Sequence, residues 1–291
     1  MKATAGIYFE DDYIRVQDPQ VPLAPGALEI DVKQDDEQTY ERIYDVYRKL
    51  QNYWSPSLAI GRYYLERLDA KTGVILRQII PFPKVGLGSK LRQIQVTWNL
   101  LFPHRAYTEQ KTLGAREDLR ELLQSPDLLE LPVVTEGKDA FCKPDRIEAQ
   151  QVQEGTTTHL LYNFKPITEN DFLIVSKEHT SDFTKEAFVE AMKTGSKVNR
   201  VYAKKGFSIG YITFADHPAA GQTVPHPHVH VTNVKTRADE LWGVAKVVRK
   251  ICFDSWAQYI LPSWLFQLSD KQLVPIIAAR RQDLAEALQS K

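Results

Sequence analysis

The sequence predicts an α+β fold, preceded by an N-terminal extension of mixed α/β character. Short apolar or alternating runs near residues 159–164, 172–175, 207–214 and 226–232 read as strands. Among and after them, apolar residues recur at helical spacing over 181–203 and 236–256. Two earlier strand-like segments, 58–68 and 74–82, flank Asp69-Ala70-Lys71-Thr72-Gly73, a turn whose glycine can take positive φ and close a hairpin.

From the N-terminus, Ile7-Tyr8-Phe9 reads as a strand, and the rest of residues 1–40 as a solvated acidic arm interrupted by Pro19, Pro22 and Pro25. Ile43, Tyr44, Tyr47 and Leu50 recur at helical spacing, so a helix is expected over 40–50. Gly86-Leu87-Gly88-Ser89-Lys90 lacks the spacing of a phosphate-binding P-loop and reads as an ordinary loop. Residues 113–123 form an amphipathic helix that Pro126 ends.

The stretch 131–137 reads as a connection, which divides the chain into an extension or small domain at 1–137, a catalytic α+β domain at 138–257 and a helical tail at 258–291. Within the middle part, 148–153 and 159–164 are strand-like around a Glu-Gly turn. The helix after 181 can be capped by Ser181 or Asp182, and the final helix, 273–288, has Pro275 in its first turn. The cationic run Lys193, Lys197, Arg200, Lys204 and Lys205 reads as a solvated helix face; the alternative is an electropositive wall facing a polyphosphate. Trp242, Trp256 and Trp264 are expected in the core.

Composition narrows the function. A formal net charge of zero argues against a general nucleic-acid or membrane-surface role. No run approaches the length of a membrane span. Cys142 and Cys252 are too few for a disulfide framework and read as buried free thiols in a reducing compartment. With no apolar leader at the N-terminus, a cytoplasmic setting is expected.

Three of the seven histidines lie in Pro225-His226-Pro227-His228-Val229-His230-Val231-Thr232. On an extended strand, alternate residues share a face, so His226, His228 and His230 would point one way and Val229 and Val231 into a core. Such imidazoles can donate and accept near neutral pH, bind a phosphate oxygen, or ligate a metal. Zinc on this strand, with Asp216 from the preceding loop, is an alternative to phosphate chemistry. His104 and His159 read as ordinary surface or capped histidines, and His217 as a solvent-facing loop residue.

His226-Pro-His228-Val-His230-Val-Thr resembles the signature of the histidine-triad (HIT) superfamily. The ungapped stretch from Leu161 through Asn163, Pro166 and Phe172 to Lys177 and His179 resembles the family's upstream segment. Gly221-Gln222-Thr223 resembles its Gly-Gln-Ser, and Phe141-Cys142-Lys143 its usual entry. The resemblance covers about residues 138–256 and implies a HIT-like antiparallel sheet with flanking helices. It implies a nucleotide hydrolase or nucleotidyltransferase acting on the α-phosphate of a dinucleoside polyphosphate or nucleoside phosphoramidate. In that family His228 would be the nucleophile, and His226 and His230 would support it at phosphate oxygens. Gln222 and Thr223 would bracket phosphate and leaving group, Asn163 would replace a ribose-binding Asp, and His179 would match the family's fourth histidine. No cofactor is required, although a divalent metal can accompany a polyphosphate substrate; a homodimer is one implied assembly. His-Pro-His resembles the hexose-1-phosphate uridylyltransferase branch, and the chain's length the dinucleoside polyphosphate phosphorylases; His230 stands where the former carry Gln. Asn163 and Ala215, which depart from the usual cradle, leave open a catalytically weak nucleotide-binding or sensor module.

Overall fold

Period-two alternation starts earlier than the acidic composition suggests. In a computed structural model, which describes residues 6–54, 61–82, 87–101, 117–125, 132–260 and 267–289, strands span Ile7–Glu10 (β1), Ile14–Gln17 (β2) and Leu28–Val32 (β3). Ile14, Val16, Leu28 and Ile30 are buried while Arg15, Gln17, Glu29 and Asp31 alternate with them. The expected solvated arm is therefore sheet: the acidic residues occupy one face and the aliphatic ones the other. Gly61–Asp69 (β4) and Ile75–Phe82 (β5) form the expected hairpin strands, with Gly73 at φ 71° in the turn.

The chain forms two compact units. The first comprises residues 1–66, 75–131 and 215–223; the second comprises 67–74, 132–214 and 224–291. In the first, the strand order is β1-β2-β3-β5-β4, accompanied by helices Glu37–Trp54 (α1), Leu87–Leu101 (α2) and Glu117–Gln124 (α3). Helix α2 corrects the loop expected at 86–90: from Leu87 onward the chain is helical, and Ser89 Oγ and Gln93 Nε2 both donate to the Ala219 carbonyl. Gly86 and residues 113–116 of the expected 113–123 helix lie outside the described residues, as does His104.

The second unit has antiparallel strands in the order β9-β10-β8-β7-β6, spanning Ile209–Ala215, His228–Val234, Asn170–Ser176, Thr158–Tyr162 and Gln151–Glu154 respectively. Residues 148–150 are not strand. They end a helix, Pro144–Gln150 (α4), whose Pro144 sits in the first turn, where its missing N–H costs nothing. Helix Lys185–Lys204 (α5) is capped by Thr184, whose hydroxyl accepts from Ala187 N–H, rather than by Ser181 or Asp182. Arg237–Ile260 (α6) and Asp270–Gln289 (α7) follow; because α7 starts three residues early, Pro275 lies in its second turn.

Each face of this sheet has a distinct chemistry. Leu160, Phe172, Ile174, Ile212, Phe214, Val229 and Val231 are buried on one side, and α5 packs against β8 and β10 there. Gly195 permits the approach: a Cβ there would stand 3.1 Å from Ile212 Cδ1 and 3.2 Å from Val231 Cγ2. On the other side Leu161, Leu173 and Val175 pack with Phe141 and Ile147. Antiparallel register aligns His228 with Val175 and His230 with Leu173, which puts both histidines on this second face. Of the cationic run, Arg200, Lys204 and Lys205 are exposed while Lys193 and Lys197 are half-buried; Lys205, the C-cap of α5, pairs with Asp283. Trp242, expected in the core, is 66% exposed. Side chains of Trp256, Trp264 and Cys252 lie outside the described residues.

Candidate active site

Strand β10 begins at His228, so His226 is not on it, contrary to the uniform strand expected across the triad. Pro227 has no N–H to donate to a ladder. The chain before it is instead tied to the end of β8: Ser176 N–H donates to the Pro227 carbonyl (3.1 Å), and His226 Nε2 lies 2.8 Å from the Ser176 carbonyl oxygen. A carbonyl can only accept, so Nε2 of His226 carries the proton and Nδ1 keeps its lone pair.

The same logic sets His228. Its Nδ1 lies 2.7 Å from the backbone carbonyl of His226, two residues back. The Nδ1–H tautomer follows, which places the lone pair of the neutral ring on Nε2. Phe141 covers the pair, with ring centroids 5.7 Å from His226 and 5.4 Å from His228. His226 and His228 are buried, and the His230 side chain is 30% exposed. The ring of His230 is 5.2 Å from that of His228.

Asp171, fully buried on β8 opposite Thr232, was not singled out from sequence. Its Oδ2 accepts from Asn163 Nδ2 (3.1 Å) and Ile167 N–H (2.8 Å), while Oδ1 is 3.4 Å from Thr232 Oγ1 and 4.0 Å from His230 Nδ1. Asn163 Oδ1 accepts from Lys165 N–H, and the residue is buried, so its amide orients Asp171 and the following turn. The available signal was an acidic residue at the head of an otherwise apolar run, Asp171-Phe172-Leu173-Ile174-Val175.

A second cluster lies behind His226. Asp139, Cys142, His179 and His226 each direct one ligand atom to within 4.8 Å of the others. His179 Nε2 is 3.0 Å and His226 Nδ1 3.4 Å from Asp139 Oδ2, and Cys142 Sγ is 3.7 Å from His226 Nδ1. Asp139 Oδ2 is buried and accepts no hydrogen bond among the described residues. Tetrahedral zinc holds N, O and S donors at about 2.0–2.3 Å, and so about 3.3–3.8 Å from one another, within about an ångström of this spacing. Two imidazoles, a thiolate and a carboxylate are a zinc donor set, and the remaining nitrogens are held from outside, His226 by the Ser176 carbonyl and His179 Nδ1 by Thr135 Oγ1 at 2.6 Å. The residues fit such a metal.

Burial lowers the pKa of His226, against the opposing pull of the Ser176 carbonyl and Asp139. Asp139 is held below the usual carboxylate range: burial raises it, but the Phe141 N–H and the neighbouring histidines outweigh that. Burial pushes the half-buried Cys142 thiol up. Zinc on the triad strand alone is not what gathers, because Asp216 is engaged by Arg62, with Oδ1 accepting from the backbone N–H at 2.7 Å and Oδ2 2.5 Å from the guanidinium. His179, expected beside substrate, sits in the Asp139–Cys142 cluster.

Gln222 and Thr223 belong to the first unit, in the loop after Gly221, which takes φ 104°. Gln222 N–H donates to the His217 carbonyl, and His217 Nδ1 accepts from Ala219 N–H, so His217 caps a short turn rather than facing solvent freely. His159 is half-buried on β7, opposite Val175, and burial lowers its pKa.

Comparison with known proteins finds similarity over one stretch of the chain. The model of the HIT domain matches residues 145–236. The bifunctional bis(5'-adenosyl)-triphosphatase/adenylylsulfatase FHIT of Arabidopsis thaliana is 27% identical over 96 residues, 30% of this chain and 52% of that protein. The chain thus spans about half the length of the curated relative it matches. Among solved structures, a uridylyltransferase aligns with 94% of this chain and 86% of its own at 12% identity and TM-score 0.48. A GalT-like protein from Arabidopsis thaliana aligns with 83% of this chain and 85% of its own at 13% identity and TM-score 0.47. The register that aligns His228 and His230 on one sheet face lies inside the segment that matches the HIT domain model.

Proposed function

We propose that the protein is a nucleotide hydrolase or nucleotidyltransferase that works through a nucleotidyl-histidine intermediate on His228. The observation that carries this reading is the 2.7 Å contact from His228 Nδ1 to the His226 carbonyl. It supports the Nδ1–H tautomer, in which a neutral ring carries its lone pair on Nε2, the form a nitrogen nucleophile needs. Attack of Nε2 on the α-phosphorus forms a P–N bond and expels the leaving group; water, phosphate or another acceptor then breaks that bond. The similarity to a bis(5'-adenosyl)-triphosphatase supports dinucleoside polyphosphates as a substrate class.

Asp139, Cys142, His179 and His226 would hold zinc with all four positions filled by protein, a structural arrangement that leaves none open for water. Bound there, the metal would supply a cross-link. What the residues themselves contribute is the fixed position of His226, whose carbonyl orients His228.

His228→Ala should lower turnover of adenosine phosphoramidate and of a diadenosine polyphosphate by about 10³-fold or more, with an unchanged melting temperature. Retention of near-wild-type turnover would sink the covalent mechanism. Trapping the labelled nucleotide on His228 tests the covalent step, and product analysis with and without added phosphate separates hydrolysis from phosphorolysis.

A further inference from the structure

Asp171 is a carboxylate with no exposure in the middle of the sheet, and the covalent step just described does not use it. Removing an ionised carboxylate from water is costly unless it is paired and hydrogen-bonded. Both conditions are visible. The two donors on Oδ2, Asn163 Nδ2 and Ile167 N–H, come from the turn between β7 and β8 and fix the plane of the carboxylate. Oδ1 is thereby turned along the site face toward Thr232 Oγ1 and the Nδ1 edge of His230. At 4.0 Å the Asp171–His230 contact is an ion-pair distance, longer than a hydrogen bond. It acts by charge, favouring a proton on that ring. The other imidazole facing His230 is His228, 5.2 Å away, whose proton is committed to the His226 carbonyl. Two neighbouring histidines therefore sit in different electrostatic surroundings: one faces a neutral carbonyl, the other an anion. That is the division expected of a nucleophile and an acid.

We propose that Asp171 is a positioning residue that holds His230 as the proton donor to the leaving group. The proposal rests on His228 being the nucleophile. As His228 Nε2 bonds to the α-phosphorus, the bond from phosphorus to the leaving atom breaks, and that atom takes the proton from His230 Nε2. In the second step the acceptor's O–H proton passes to His230 as the P–N bond breaks. Asp171 stays a carboxylate throughout, and Asn163 serves it by holding Oδ2.

The test compares two substrates of the full-length protein. A nucleoside phosphoramidate must have its departing amine protonated; a nucleoside 5′-(4-nitrophenyl) phosphate expels a phenolate that needs no acid. Asp171→Asn should lower kcat/KM for the phosphoramidate by about 100-fold and for the nitrophenyl ester by less than about threefold. His230→Asn should show the same selectivity, which keeps the test decisive if Asp171→Asn does not fold. Equal losses on both substrates in the folded variants would overturn the proposal. An active His228→Ala protein would instead remove the reading on which it rests, so the two failures are distinguishable.

Discussion

His226 lies outside the strand that carries its two partners, yet it is the residue on which the site's geometry converges. Its carbonyl orients His228, its Nε2–H is held by Ser176, and its Nδ1 faces Asp139 and Cys142. Burial lowers its pKa below the ordinary histidine value. A depressed folded-state pKa means that protonation favours the unfolded chain. The neutral ring therefore contributes stability that is present above about pH 6.5 and lost as pH falls through the folded value. In chelator-treated protein the melting temperature should decline as pH drops below about 6.5, and the decline should be shallower in His226→Asn. An unchanged slope would contradict burial as the cause. Sequence spacing put His228 and His230 on one strand face, because i and i+2 on a strand share a face; the nucleophile's role was implied only by the resemblance to the family's triad. Spacing could not show Asp171, since a carboxylate at the start of an apolar run looks the same whether it ends a turn or faces an imidazole.

At the scale of elements, the turn around Asp139–Cys142 is the least conspicuous and the most consequential. Asp139 caps it by accepting from Phe141 N–H at 2.7 Å, which leaves Oδ2 for the cluster. Gly137 lets the chain pass against that cluster: a Cβ there would stand 2.2 Å from Cys142 Sγ and 2.5 Å from His179 Cδ2. Gly137→Ala must displace one of them, and should cost about 1–3 kcal/mol, measured by denaturant unfolding. Cys142→Ser should lose zinc held by the wild-type chain, measured by metal analysis after dialysis. Stoichiometric zinc in that variant would exclude the thiolate as a ligand. Phe141-Cys142-Lys143 was visible in the sequence as a likeness, but Asp139 was not. Its role depends on His179 and His226, 40 and 87 residues away, being folded against it. The acidic lead failed as a reading for a related reason. Its charge dominated its composition, whereas the buried alternation of Ile14, Val16, Leu28 and Ile30 decided its structure.

For the whole molecule, the two units are interleaved along the chain. Residues 67–74 belong with the second, where Ala70 N–H donates to the Ser208 carbonyl and Arg67 reaches Tyr211 Oη at 3.4 Å. Residues 215–223 belong with the first, where Asp216 meets Arg62 and Ala219 accepts from α2. A fragment starting at residue 132 lacks 67–74 and should melt several degrees below the full chain, because a loss of about 1 kcal/mol shifts the midpoint of a domain this size by roughly 2–4 °C. An equal melting temperature would show that segment to be dispensable. Among the described residues no helix is long and apolar enough to cross a membrane. By itself the sequence determined the α+β class, the hairpin at 69–73, and a strand carrying His228 and His230 whose valines are buried; these depend on local period and spacing. Only the tertiary structure decided that His226 leaves the strand, that Asp171 faces His230, and that Asp139, Cys142 and His179 gather behind them. Those relations are set by strand register and by the packing of distant segments, and both are long-range outcomes that no local pattern encodes.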